Sequence, residues 1–252
     1  MKILIYSSLL LAALLTSCSK DGNPIPSNPN SKALVKSIQT IDFFGTNKSN
    51  YTYDSQRRIS QNIITYEGSP DKQQTFKYEY TGTQVIVREY DASMTLKYTS
   101  YLNLNSKSLV DTSFERNGEE IVVHKYDSDM HLTGKKEYDQ NNNLNRSQEY
   151  KYENGNLTSL IYYDESGNKK SSYEFPEYDL KKFNSMDNVN VGQSYAGKLS
   201  NNIPLKVVIN SNGFSRESYI VYDLDNSGRV TKMSTYEFGS PTPSLEQNIE
   251  YY

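Results

Sequence analysis

A cluster of turn-forming residues returns about every dozen positions along much of this chain, and that spacing excludes most folds. Tyr126 to Tyr138 and Tyr138 to Tyr150 are each twelve residues. Twelve suits one strand plus one tight turn and is too short for a helical repeat unit. The clusters include Asp127-Ser128-Asp129, Asp139-Gln140-Asn141-Asn142-Asn143, Glu153-Asn154-Gly155-Asn156 and Asp164-Glu165-Ser166-Gly167-Asn168. Asp and Asn suit these places because their short side chains bond the backbone two residues on and tolerate left-handed conformations. Between the clusters residues alternate: Leu132, Gly134, Lys136 and Tyr138 share one face, as do Leu144, Arg146, Gln148 and Tyr150. Tyr138 and Leu144 flank a turn and face each other in a hairpin, a pairing that contributes roughly 0.2–1 kcal/mol. Tyr53 with Ile59 and Tyr126 with Leu132 repeat the spacing, and Tyr222 with Val230 is a longer version. Tyr-Asp thus reads as punctuation, Tyr setting register and Asp starting the turn.

The pattern extends over most of the chain. Candidate strands run over 34–43, 59–66, 74–80, 84–91, 94–104, 108–115, 119–126, 131–138, 144–152, 157–163, 169–175, 204–210, 214–222, 229–238 and 245–252. No segment between 33 and 182 has a period of 3.6, and consecutive strands with short links imply antiparallel pairing. The expected fold is all-β: an up-and-down meander of about 14–16 strands in an open or closed barrel, one domain spanning 33–252. One stretch departs from alternation, near 180–204, and reads as an irregular insertion with a short helix near 188–196 and a strand from Leu205. Long loops are where function tends to sit.

The N-terminus carries an address. Lys2 precedes an apolar run, Ile3–Leu15, that is too short for a membrane span and suits a secretory signal. It ends in Leu15-Thr16-Ser17-Cys18, which resembles the bacterial lipobox, and Cys18 is the sole cysteine. Residues 1–17 therefore read as a lipoprotein signal peptide and Cys18 as the lipidation site. A diacylglyceryl group with an N-acyl chain exceeds the two signals that stable anchoring takes. Residues 18–32, with Pro24, Pro26 and Pro29, read as a flexible tether. Ser19 after the cysteine argues for the outer membrane, and Lys20-Asp21 resembles a surface-export signal, so cell-surface exposure is the expectation.

Composition limits the alternatives. Hydrophobic residues make up 35% of the chain, with 23 tyrosines and no tryptophan, and mean hydropathy is −0.76. Tyrosine then has to supply much of the apolar area, and its hydroxyl can stay wet at a surface. Both strand faces carry charge (Lys136 and Arg146 on one parity, Lys135 and Glu149 on the other), which does not suit a lipid-facing barrel wall. A net charge of −3 with no basic block argues against nucleic acid.

No catalytic, metal or cofactor site emerges. His124 and His131 flank one turn with Asp127 and Asp129 nearby, but they read as exposed turn-flanking residues rather than ligands. Gly192-Gln193-Ser194-Tyr195-Ala196 faintly resembles a nucleophile elbow, but no histidine follows residue 131 to complete that triad. Asp223-Leu224-Asp225-Asn226-Ser227-Gly228 opens like a calcium loop, but Ser234 holds the twelfth position where a Glu is required. Carboxylates are plentiful, yet none stands out as a glycosidase pair.

With the turns and the lipobox together, the chain resembles a family of Bacteroidetes lipoproteins of unknown function with a porin-like, many-stranded fold. It is similar, more distantly, to the YD-repeat sequences of large bacterial shell proteins. The residues that carry this are Leu15–Cys18, the Tyr-Asp pairs at 53, 126, 138, 163 and 222, and Tyr222-Asp223 with Gly228-Arg229-Val230. Tyr178–Asn184 followed by Ser200–Ile203 resembles the family's late insertion. The resemblance implies a fold and an address but no activity. Three functions remain open: a non-catalytic binding module for a glycan, peptide or partner protein, a secreted carboxylate-dependent hydrolase, and a structural envelope component.

Overall fold

In the computed structural model, which describes residues 33–185, 191–198 and 200–252, the polar clusters fold the chain back on itself as expected. The strands are β1 (Val35–Asp42), β2 (Gly45–Tyr53), β3 (Ile59–Tyr66), β4 (Gln74–Tyr80), β5 (Gln84–Tyr90), β6 (Leu96–Leu104), β7 (Val110–Glu115) and β8 (Glu120–Tyr126). They continue as β9 (Leu132–Asp139), β10 (Leu144–Glu153), β11 (Asn156–Asp164), β12 (Lys169–Phe183), β13 (Asn202–Ser211), β14 (Phe214–Leu224), β15 (Val230–Glu237) and β16 (Leu245–Tyr251). Each pairs with its sequence neighbours, and β1 pairs with β16, so the sheet is a closed barrel. The strand missing from the sequence reading is β2. Its GTNKSNYTY carries no aliphatic residue, so alternation was invisible there. The insertion narrows to 184–201, because β12 runs to Phe183 and β13 begins at Asn202 rather than Leu205. Of the helix expected near 188–196, residues 188–190 lie outside the described residues, and Ser194–Ala196 is a single 3₁₀ turn.

One turn geometry recurs at Asp54, Asp91, Asn105, Asp127, Asp139, Asp164 and Asp225. In each, the residue's Oδ1 accepts the backbone N–H groups two and four positions on, at 2.8–3.2 Å. Its carbonyl accepts the N–H three positions on, and that third residue has positive φ: Arg57, Met94, Ser108, Met130, Asn142, Gly167 and Gly228. The fifth residue often returns to Oδ2, as Arg58 Nε does to Asp54 (2.7 Å) and Arg229 Nε to Asp225 (2.6 Å). The expected cross-strand pairs Tyr53–Ile59, Tyr126–Leu132 and Tyr138–Leu144 are present. Tyr222 with Val230 is not: Tyr222 pairs with Met233 and Leu224 with Val230. The turn starts at Asp225, two residues after the Tyr-Asp pair, because Asp225 is the acid four residues before Arg229.

Odd-numbered strands begin, and even-numbered strands end, at one end of the barrel, the base; the other end is the rim. The base has a two-part inner ring. Every odd strand starts at or next to a buried aliphatic: Val35, Ile59, Val85, Val110, Leu132, Leu157, Ile203 and Val230, none more than 9% exposed. The even strands carry a tyrosine at or within two residues of their end, at 53, 80, 126, 152, 222 and 251, Tyr178 holds the place on the longer β12, and Leu104 ends β6. Hydroxyls cross to the preceding strand: Tyr53 to the Val35 carbonyl (2.6 Å), Tyr80 to Ile59 (2.9 Å), Tyr222 to Pro204 (2.8 Å), Tyr251 to Val230 (2.9 Å), and Tyr178 to Leu157. Much of the tyrosine is thus spent inside the barrel, with others such as Tyr101 and Tyr219 on the outer face. Burial pushes the Tyr80, Tyr126, Tyr150, Tyr178 and Tyr222 hydroxyls up, as expected of groups taken from water.

Candidate functional site at the unplugged mouth

Sixteen strands in a round barrel leave room for an aqueous channel. Here the described part of the insertion, 184–185, 191–198 and 200–201, crosses the base. Its Gly192 carbonyl accepts the Ile59 N–H (3.1 Å), Ser200 Oγ accepts Leu157 N–H (3.0 Å), and Ser185 Oγ accepts Val230 N–H (2.9 Å). Lys198 N–H donates to the Met130 carbonyl (2.8 Å) and Asn201 N–H to Gly155 (2.9 Å). One segment therefore satisfies backbone groups on β3, β11 and β15 and on the turns before β9 and β11. Tyr195 adds an apolar anchor, packed with Val85 and Val110. Gly192 and Gly197 allow the close approach: a Cβ would lie 2.6 Å from Ile59 N in the first case and 2.6 Å from the Tyr126 ring in the second.

Above the plug the two halves of the interior differ. From β13 through β1 the inward residues Val207, Ile220, Met233, Gln247, Ile249 and Ile38 are at most 6% exposed, so that half is packed solid. On β4–β6 the inward residues Phe76, Tyr78, Val87, Glu89, Tyr98 and Leu102 are only half-buried. This partly open wall stands over a floor made by Tyr195 and by the Gln193 side chain bonded to the Tyr78 hydroxyl. A polar chain crosses it near the rim: Tyr66 hydroxyl to Gln74 Oε1 and Gln74 Nε2 to Glu89 Oε1, both 3.4 Å. Burial pushes the Glu89 carboxyl up against the opposing pull of the Arg116 charge. Asn62 Oδ1, on the adjacent β3, is buried with no protein partner. Aromatic faces, an amide and a carboxyl on neighbouring inward positions can hold a neutral, hydroxyl-rich ligand.

The histidines are not the exposed pair expected. His131 is 4% exposed, its Nδ1 3.0 Å from Asp127 Oδ2 and its ring stacked on Tyr152 at 4.5 Å. His124 points inward, and burial with the nearby Lys135 charge drives it down to about 3, so it is neutral at physiological pH. Neither belongs to a metal cluster among the described residues. Asp225, the centre of the calcium-like stretch, already holds two backbone N–H groups and the Arg229 guanidinium. In the elbow-like stretch Ser194 is exposed on the 3₁₀ turn. Cys18 and the residues expected to form a signal peptide and tether lie outside the described residues. The mouth residues escaped the sequence reading because Glu89 and Tyr98 look like any other strand positions until the barrel closes. The only signal in the sequence was the apolar residue two positions away on each strand.

From β13 round to β5 the outer wall is largely polar, whereas β6, β7 and β8 expose Tyr101, Phe114 and Val123 on their outward faces. Cross-strand ion pairs join Lys48 to Glu250, Arg88 to Glu79, Lys206 to Glu217 and Lys232 to Glu246. No protein-family model and no curated protein matches the chain. Among solved structures it is similar to a porin-like protein from Bacteroides uniformis, with a TM-score of 0.66 and 16% identity over 86% of this chain and 96% of that one. It is also similar to a porin-like protein from Bacteroides vulgatus, with a TM-score of 0.59 and 12% identity over 87% and 99% of the two chains. The likeness establishes the fold. It is a porin-like barrel whose wall, from β13 round to β5, carries ion pairs where a membrane-spanning porin needs an apolar band.

Proposed function

We propose that the protein is a non-catalytic binding module of the outer membrane, held by a lipid on Cys18 and exposed at the cell surface, that takes a glycan at the unplugged mouth. The carrying observation is the contrast within the barrel: one half packed, the other half open around Phe76, Tyr98, Glu89 and Gln74 above the floor. Such a cup supports binding better than conduction, because the insertion bonds to strands on several sides of the base. Anchoring through Cys18 rather than through the wall fits the ion-paired outer surface. A carboxylate-dependent hydrolase would need two acids set against each other. Burial leaves the Glu89 carboxyl raised, and its side-chain partner is the amide of Gln74 rather than a second acid.

The test is a glycan array probed with the chain from Ser31 onward, beside Tyr98→Ala and Glu89→Gln variants whose melting is followed in parallel. Selective glycan binding that falls at least about tenfold in both variants, a loss of roughly 1.4 kcal/mol, with melting unchanged is the expected result. Binding that survives both changes would place the ligand elsewhere, and turnover of a bound glycan would reinstate the hydrolase.

A further inference from the structure

The rim carries a second asymmetry. Phe43 and Phe44, at the turn between β1 and β2, are 94% and 70% exposed; Phe214, after the turn between β13 and β14, is 81% exposed; Phe238, after β15, is 77% exposed. These three turns are consecutive around the rim, since β13, β14, β15, β16, β1 and β2 are neighbours in the closed sheet. Neighbouring rim turns stand two strand spacings apart, roughly 10 Å. The apolar surface continues onto the outer wall through Tyr219, 6.4 Å from Phe238, and the 53% exposed Val221. At the base the turns from 54–58, 105–109 and 225–229 are built from Asp, Asn, Ser, Lys and Arg with little else, and Leu180 is an isolated exposed apolar residue. The opposite rim also exposes Met94 and Leu96 at the β5–β6 turn, but at 47% and 48% against 70–94% for the four phenylalanines. More fully exposed rings gathered on one arc mark an interaction site rather than ordinary surface scatter.

We infer that this arc docks on a lipid surface, the four phenylalanine rings entering the interface while the ion-paired wall stays in water. The chain outside the described barrel favours a bilayer as occupant. Ser19–Lys32 spans on the order of 40 Å if extended, and strands mostly of seven to ten residues give a barrel only about 20–25 Å tall. Either end of the barrel thus reaches the membrane that holds Cys18, and tethering makes a weak second contact effective by raising local concentration. Charge fits a neutral contact: beside the rings, Arg216 pairs with Glu237 at 2.7 Å and Lys206 with Glu217 at 2.8 Å. Docking by this arc leaves the opposite arc, with the β4–β6 mouth, clear of the surface.

The lipid-anchor reading enters here only through proximity, so the experiment uses a chain beginning at Ser19, which carries no acyl group. Pairing of every strand on both sides by residues 35–251 keeps the barrel complete in that chain. Sedimentation with vesicles of phosphatidylethanolamine and phosphatidylglycerol should pull down the wild type at low and high salt alike. Phe43→Ser, Phe44→Ser, Phe214→Ser and Phe238→Ser combined should lower the bound fraction at least about tenfold, while Leu180→Ser should leave it unchanged. The chain has no tryptophan, so Phe238→Trp adds a single reporter whose emission should shift to the blue on vesicles. A wild type that stays in the supernatant, or binding lost in salt, overturns the proposal. So does a concentration-dependent dimer in sedimentation velocity that the quadruple variant abolishes without changing vesicle binding, since the arc would then be a contact between copies. Failure of Cys18 to carry lipid would show separately, in detergent partition of the full chain.

Discussion

At the scale of single residues, the turn aspartates do several jobs with one carboxylate. One oxygen holds the backbone loop in place and the other is free to take the side chain four positions on. Asp225→Ala removes both and should cost about 0.5–2 kcal/mol in chemical unfolding, by analogy with losing a side-chain cap. Asp225→Asn should recover most of that, because Asn105 already builds the same loop with an amide. The same geometry sets an acid dependence. The Lys170 ammonium brings Asp164 down to about 2, and Asp139 is lowered by the Asn143 side chain and backbone. At Asp54 and Asp225 burial pushes upward, but the Arg58 and Arg229 contacts outweigh it and the carboxyls end below their usual range. A carboxylate with a lowered folded-state pKa contributes stability above its unfolded value near 4 and loses it as pH falls toward the folded value. The unfolding midpoint in denaturant should therefore drop between about pH 4 and 2. Asp225→Asn should flatten part of that slope, and an unchanged slope would show that these turns do not drive it.

At the scale of elements, the repeat is a hairpin rather than a strand. A buried aliphatic opens it, a rim turn reverses it, and in five of the eight hairpins a tyrosine near its end bonds back to its start. Tyr80→Phe keeps the ring beneath Arg58, which sits 4.1 Å over it, and removes only the bond to the Ile59 carbonyl. It should cost about 1–3 kcal/mol by leaving a buried acceptor unpaired. Tyr138 is the contrast: its ring is half-buried on the outer wall, so Tyr138→Ala should cost less than truncation of a base-ring tyrosine. The insertion is the other element with its own prediction. Gly192→Val puts a side chain onto Ile59 N and the Tyr53 ring at a φ of +71° that β-branched residues avoid. It should release the plug locally, seen as faster amide exchange at Ile59 and protease cleavage within 184–201, with strand content by circular dichroism preserved.

For the whole molecule, the address and the plugged base make separate predictions. Cys18→Ala in the full chain should leave an unlipidated product that moves from the detergent phase to the aqueous phase in a cloud-point extraction. A mutant that still partitions with membranes would refute lipidation at Cys18. Purified barrel added to planar bilayers should give no steady conductance, because the wall is ion-paired and the insertion crosses the base. A stable ohmic step would contradict both features at once.

The sequence determined what depends on neighbours along the chain. Turn chemistry at Asp54, Asp127 and Asp139, the antiparallel succession of strands and the presence of an insertion after Tyr178 were all legible, because each rests on bonds spanning four residues or on alternation within one strand. Gly45–Tyr53 was missed for the same reason: polar side chains mask alternation when both faces lack aliphatics. Which face is inward is settled only by closure, since Tyr80 and Tyr251 cannot be seen to point at Ile59 and Val230 until the hairpins ring the base. The Asp225 turn was misplaced by two residues because two aspartates compete locally and the register of β14 on β15 chooses between them. The mouth at Glu89, Gln74 and Tyr66 came from tertiary structure alone. Its three residues lie on three consecutive strands, and which of their positions meet on the inner face is set by the register that barrel closure fixes.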